Sequence, residues 1–180
     1  MIRKLIIPIL VTLLISCTEF ELDDLVLNLK PIGNYVAFAN SSGGTITPIS
    51  LNRSESSTAS ALRIENATGS LSSITASYTF SGTAVFGQDF TVTSPGGTVN
   101  ASGGTIKIVA TNKKSTVADF AFVNLSIDPI TDGIKDGAKT LIITLTNAVN
   151  EKGEIFDLGR GLDGQTIYHK SATINISDED

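Results

Sequence analysis

The chain has 180 residues, a formal net charge of −5 and 41% hydrophobic residues, with one cysteine, one histidine and no tryptophan. A chain of this length holds one domain with a core of its own. The acidic balance, without a basic stripe to neutralise phosphates, argues against nucleic acid as a partner. The missing tryptophan removes the broadest surface on which proteins stack sugar rings.

The first sixteen residues are predicted to be a signal peptide. Arg3 and Lys4 precede an apolar run at residues 5–14 that is too short to span a membrane. The sole cysteine, Cys17, follows this run, and the tetrapeptide LISC at residues 14–17 resembles the lipobox of bacterial lipoproteins. That resemblance implies that residues 1–16 are removed and that Cys17 carries the lipid anchor. A plain signal peptide with a chance cysteine is the alternative.

Residues 17–33 are predicted to form a lipid-anchored acidic tether, because four acids fall within residues 19–24. In some Gram-negative phyla, acidic residues just after the lipid cysteine direct lipoproteins to the outer face of the outer membrane. The resemblance to that signal implies a lipid-anchored outer-membrane protein that faces the cell exterior. Its periplasmic face is the alternative location.

From residue 34 onward the pattern predicts β-strands. Apolar residues alternate with polar ones at residues 74–80, 106–108, 121–127, 141–145 and 172–176, and more weakly at 35–38, 45–51 and 61–64. Glycine-rich and Asp-Gly turn signals separate these runs, and sustained helical periodicity is missing. Residues 34–180 are therefore predicted to be an all-β domain, an immunoglobulin-like antiparallel β-sandwich of about seven to nine strands.

The segment SGTAVFGQDF at residues 81–90 is not a simple hairpin turn. Gly82 and Gly87 allow backbone angles that are closed to other residues, so the chain can bulge between them. We expect Asp89 to project its carboxylate from the end of the sandwich and Phe90 to turn into the core. A carboxylate at this rim suits a hard cation that prefers oxygen ligands.

Three segments in order resemble the signature of Calx-β domains. The first runs from Tyr78 through Gly82-Thr83-Ala84 and Gly87 to Asp89-Phe90. The second is DGIKDGAKTLIITLTNA at residues 132–148, which resembles the acidic turn and the strand after it, and the third is SATINISDED at residues 171–180. The resemblance covers residues 36–180 and implies an immunoglobulin-like sandwich. A generic immunoglobulin-like sandwich outside that family is the alternative.

The resemblance also implies a calcium site at one end of the sandwich. The residues that match the acids of the family are Asp89, Asp132, Asp136, Asp178, Glu179 and Asp180. Two positions depart from the pattern, because an early glutamate falls near Asn40 or Ser41 and a second glutamate aligns with Lys139. Any calcium binding is therefore expected to be weak. The alternative is that these acids only satisfy backbone groups in turns.

No catalytic constellation is found in the sequence. The single histidine, His169, has no identifiable serine or cysteine partner in sequence, and we expect it to be solvated.

Two functions follow as hypotheses. The first is a non-catalytic, surface-tethered binding or adhesion module with an extracellular protein or glycan ligand, attached to the membrane through Cys17. The second is a glycan-binding accessory lipoprotein of an outer-membrane polysaccharide-uptake system.

Overall fold

A computed structural model describes residues 34–39, 49–66, 68–112, 121–159 and 169–179, which belong to one compact unit, Ile32–Asp180. The predicted signal peptide and tether, with Cys17, lie outside the described residues. So do Asn40, Ser41 and Asp180. Within the described part of the chain, no helix has the length and apolar character needed to span a membrane.

The described residues form eleven β-strands and no helix. The strands are β1 (Tyr35–Ala39), β2 (Ile49–Ser54), β3 (Ser60–Asn66), β4 (Ile74–Gly82), β5 (Phe90–Thr93), β6 (Val99–Asn100), β7 (Gly103–Ile108), β8 (Ala121–Pro129), β9 (Lys139–Asn150), β10 (Asp157–Leu158) and β11 (Ser171–Ser177). One sheet has five strands in the order β10-β1-β3-β8-β5. The other has six, in the order β2-β11-β9-β4-β7-β6.

The predicted fold class is confirmed: the described chain is an all-β, immunoglobulin-like sandwich of two sheets. Nine strands have four or more residues, while β6 and β10 have two residues each at sheet edges. Two pairs, β1 with β10 and β2 with β11, are parallel, so the sheets are not purely antiparallel as predicted. Alternation marks which side chains face inward but carries no information about strand direction.

The core lies between the sheets, and most apolar residues of the predicted alternation are buried in it. On β4, Ile74, Ala76 and Tyr78 lie inside, and Phe80 is partly buried against the same core. Phe90 is fully buried at the start of β5, and its ring packs edge-on against those of Phe80 and Phe86. This aromatic group fills the core close to where the chain passes from β4 to β5.

Candidate cation site at one end of the sandwich

The unusual amino-acid sequence of residues 81–90 is explained by a crossover between the two sheets. Strand β4 belongs to the six-stranded sheet and β5 to the five-stranded sheet, so residues 83–89 cross from one to the other. The backbone N–H groups of Thr83 and Ala84 both donate to the carbonyl oxygen of Thr140 on β9, at 2.8 and 3.1 Å. The backbone N–H of Thr140 donates in return to the Thr83 hydroxyl, at 2.8 Å. The start of the crossover is therefore fixed to the start of β9.

Gly82 is required where the crossover leaves β4. Its φ is +109°, and an added Cβ would lie 2.1 Å from the carbonyl oxygen of Thr140. Both observations exclude other residues, because an L side chain rarely adopts this backbone angle and a Cβ would collide with the β9 backbone. The prediction that Gly82 and Gly87 adopt special backbone angles is confirmed, since Gly87 has a φ of +82°.

Asp89 closes the crossover with a buried carboxylate. The residue is only 5% exposed, and its Oδ2 accepts a hydrogen bond from the backbone N–H of Val85, at 2.5 Å. The backbone N–H of Asp89 donates to the Val85 carbonyl oxygen, at 2.9 Å. This small ring of hydrogen bonds holds the carboxylate at the rim of the sandwich, and Phe90 next in sequence enters the core.

The loop between β8 and β9, residues 130–138, supplies two further acids. It begins beside the crossover, since the backbone N–H of Ile130 donates to the carbonyl oxygen of Asp89, at 2.9 Å. Within the loop, Asp132 accepts a hydrogen bond from the backbone N–H of Ile134, at 2.9 Å. Asp132 and Asp136 are both exposed, and each precedes a glycine with positive φ.

These two loops bring three carboxylates together. Asp89, Asp132 and Asp136 each offer an oxygen, and the three oxygens lie within 4.8 Å of one another. Two unit charges at 4.8 Å repel by about 1 kcal/mol in water and by about 3.5 kcal/mol at an effective dielectric constant of 20. The cluster therefore needs a counter-charge. Its members come from positions up to 47 residues apart in sequence, so only the folded chain gathers them.

Lys139 supplies a counter-charge from within the chain. Its ammonium group lies 2.7 Å from the carboxylate of Asp136. The pKa of Lys139 is raised above its usual range, first by its hydrogen bond to Asp136 and then by the charges of Asp136, Asp89 and Asp132, while burial opposes this shift. The ammonium thus faces the same three acids that a metal ion would face.

The C-terminal acids are placed differently from these three. Asp178 accepts a hydrogen bond from the backbone N–H of Gly137, at 2.6 Å, and so lies against the acidic loop. Glu179 instead accepts a hydrogen bond from the Ser56 hydroxyl. Asp180 lies outside the described residues. Of the six predicted acids, the structure therefore brings three into one cluster. A fourth, Asp178, lies beside Gly137, the residue after Asp136.

Two findings were not anticipated from the sequence. Thr83 and Thr140, which fix the crossover to β9, were not predicted to position the site. The sequence feature that could have pointed to Thr83 is its position between Gly82 and Gly87, the two glycines on either side of the bulge. His169 was expected to be solvated but is 6% exposed, with a positive φ of 60°. Its carbonyl oxygen accepts a hydrogen bond from the backbone N–H of Phe38, at 2.9 Å, so tertiary contact with β1 draws the residue inward.

No protein-family model matches the chain, and no curated protein matches it. Among solved structures, the chain is similar to the apo form of the Calx CBD1 domain, at 17% identity over 81% of this chain and 97% of that one, with a TM-score of 0.46. It is also similar to the calcium binding domain CBD12 of CALX1.1, at 19% identity over 73% of this chain and 42% of that one, with a TM-score of 0.44. A cohesin module from a Clostridium perfringens family 33 glycoside hydrolase is 13% identical over 81% of this chain and 97% of that one, with a TM-score of 0.36. These identities and TM-scores are low, so the fold assignment rests on the strand pairing of the chain itself.

Proposed function

We propose that this chain is a non-catalytic, lipid-anchored binding module with a Calx-β-like sandwich, whose loop end holds a calcium ion weakly. The observation that carries the calcium proposal is the convergence of Asp89, Asp132 and Asp136 from two separate loops. Carboxylate oxygens are the ligands that calcium prefers.

The spacing of the three carboxylates fits a calcium ion. Calcium holds its oxygen ligands at about 2.3–2.6 Å, so two oxygens on one ion lie at most about 5 Å apart. The oxygens of Asp89, Asp132 and Asp136 meet this limit, since they lie within 4.8 Å of one another. Three carboxylates offer at most six oxygens, and calcium takes about six to eight, so water would complete the coordination.

Lys139 is the reason to expect weak binding. Its ammonium group already pairs with Asp136 and is attracted by the other two acids, so calcium must compete with a cation that the chain carries. We expect a dissociation constant on the order of 10⁻⁴ to 10⁻³ M, the range of extracellular calcium modules. Such a site would be filled outside a cell and empty in the cytosol.

A calcium titration of thermal stability tests the site. At about 10 mM calcium, a dissociation constant in that range stabilises the folded state by about 1.4–2.7 kcal/mol. For a domain of this size, that shift raises the melting temperature by roughly 3–10 °C. Magnesium at the same concentration is expected to act less, because it demands a tighter octahedral arrangement.

Two variants and one control make the test specific. Asp89→Asn is expected to abolish the calcium effect, while its amide oxygen can still accept the hydrogen bond from Val85. Lys139→Glu is expected to tighten binding, because it removes the competing cation and adds a carboxylate. Lys135→Glu makes the same charge change at an exposed position of the loop that precedes Lys139 and is expected to have a smaller effect. If calcium leaves the melting temperature unchanged, the calcium proposal is wrong. The acids would then serve only as turn residues whose charge Lys139 offsets.

The anchoring and the binding role belong to the same proposal. A lipid on Cys17 would tether the module to the outer membrane, facing the cell exterior, where millimolar calcium and extracellular ligands are available. A non-catalytic role is supported by the scarcity of catalytic side chains, since the chain has one histidine and one cysteine, and the proposal assigns that cysteine to the lipid. His169 is buried, and a general base has to reach its substrate.

A further inference from the structure

The outer surface of the six-stranded sheet is made almost entirely of hydroxyl and amide side chains. We call it the hydroxyl face and define it as the outward-pointing side chains of β2, β11, β9, β4 and β7. Along each strand these residues alternate with the buried core residues and are partly or fully exposed. Its centre is formed by Ser77 and Thr79 on β4, Thr140, Ile142 and Thr144 on β9, and Thr173 and Asn175 on β11, of which only Ile142 is apolar.

Strand register lines these side chains up in rows across the sheet. Thr79 lies opposite Thr144, and Thr144 lies opposite Ser171, so three hydroxyl residues from three strands adjoin one another. The hydroxyls of Thr144 and Ser171 are 2.9 Å apart, and the amide of Asn175 donates to that of Asn52 on β2, at 2.9 Å. Five neighbouring strands at about 4.8 Å spacing make the face about 19 Å wide.

The face carries a single charged side chain among its described residues, although the chain is acidic. The chain carries 18 acidic residues, yet Lys107 is the one charged side chain among the described residues of the face. Its ammonium group lies 2.8 Å from the carboxylate of Glu151 just beyond the end of β9, so even this charge is paired. A partner that fits this face is therefore neutral and forms hydrogen bonds.

Other classes of partner fit the face poorly. Protein interfaces concentrate aromatic residues and arginine at their centres and are depleted of serine, whereas the described centre of this face is serine, threonine and asparagine with Ile142. Nucleic acid needs basic residues for its phosphates. A rigid crystal plane does not match a sheet whose successive strands rotate by about 20–25°. A flexible chain of neutral hydroxylated units matches both the charge and the curvature.

We infer that the hydroxyl face binds a neutral polysaccharide. Serine, threonine and asparagine side chains both donate and accept hydrogen bonds, as sugar hydroxyls do. Each such bond contributes little net affinity, because water competes for the same groups, and the described face has no aromatic ring for stacking. Affinity must then come from many contacts along one chain, so the face selects a long polymer over a short oligosaccharide. The inference rests on the proposed binding role but not on the calcium site.

A pull-down of the full-length lipoprotein in detergent tests the inference. The probes are amorphous, acid-swollen cellulose and chitin and gelled β-1,3-glucan as neutral polymers, and cross-linked polygalacturonic acid as a charged one. We expect retention on at least one neutral polymer, in calcium-free buffer with chelator, and none on the polygalacturonate. Retention should persist at high salt, because no ion pair carries it. Short oligosaccharides of the same sugar should compete poorly.

Two matched double variants decide whether the face is responsible. Thr79→Val with Thr144→Val removes two adjacent hydroxyls at the centre of the face and keeps the side-chain shape and the strand preference. This variant is expected to lower retention by at least about fivefold. Thr91→Val with Thr93→Val makes the same change at two exposed positions of β5 in the other sheet and should leave retention unchanged.

Three results would overturn the inference: no retention on any neutral polymer, equal loss in both double variants, or retention that appears only in a parallel assay with added calcium. The last result would assign the binding to the acidic end of the sandwich instead. Because the assay runs without calcium, failure of the calcium site would leave its outcome unchanged.

Discussion

Phe90 allows a quantitative test of how the crossover is built. Its side chain is fully buried, and its ring centroid lies 5.2 Å from that of Phe80 and 5.7 Å from that of Phe86, with both pairs edge-on. Phe90→Ala is expected to lower the free energy of unfolding by about 3–5 kcal/mol, the usual loss for a buried phenylalanine. The upper part of that range is favoured because each edge-on pair contributes about 0.5–1.5 kcal/mol beyond its buried area.

Urea denaturation at neutral pH measures this loss, and thermal melting gives an independent value of about 2–4 °C for each kcal/mol in a domain of this size. Phe122→Ala is the matched control, because this phenylalanine on β8 is 52% exposed beneath the guanidinium of Arg63. The control should cost about 1 kcal/mol or less, mainly through the lost cation–π contact. A Phe90→Ala loss no larger than that of the control would refute the inward orientation of Phe90.

Three further outcomes are expected. Gly82→Ala should destabilise the domain by more than Gly87→Ala. Both glycines have a positive φ, which costs an alanine about 1–3 kcal/mol of strain, but only at Gly82 would the added Cβ also collide with backbone atoms of β9. Equal losses in the urea midpoints of the two variants would contradict this packing. Stability should fall over the alkaline range above about pH 10, because the folded-state pKa values of Lys139 and Tyr78 are raised, by the hydrogen bond to Asp136 and by burial respectively. Their contributions are complete below the unfolded pKa of each group and are lost as pH rises through the folded pKa, so a flat urea midpoint across this window would count against both assignments. Cys17→Ser should release the protein from membranes or block its processing, and a variant that fractionates and is processed as before would rule out lipidation at this residue.

Local sequence was sufficient to predict the fold class and much of the core. Alternation has the period of a β-strand, so it places Tyr78 on the same buried face as Ile74 and Ala76 without knowledge of the neighbouring strands. Gly82 and Gly87 indicated an irregular connection between β4 and β5, because glycine tolerates backbone angles that other residues avoid. Both kinds of information reside in a few consecutive residues, and that is why sequence alone conveyed them.

Long-range pairing decided the rest. The resemblance implied six acids as calcium ligands. The structure brings Asp89, Asp132 and Asp136 together, because the start of β5 pairs with the end of β8. Glu179 instead forms a hydrogen bond with Ser56. The parallel pairing of β2 with β11 joins segments more than a hundred residues apart, and it completes a neutral face that no single strand displays. Alternation fixes which side of a strand is polar, but only the pairing of strands determines which polar side chains become neighbours.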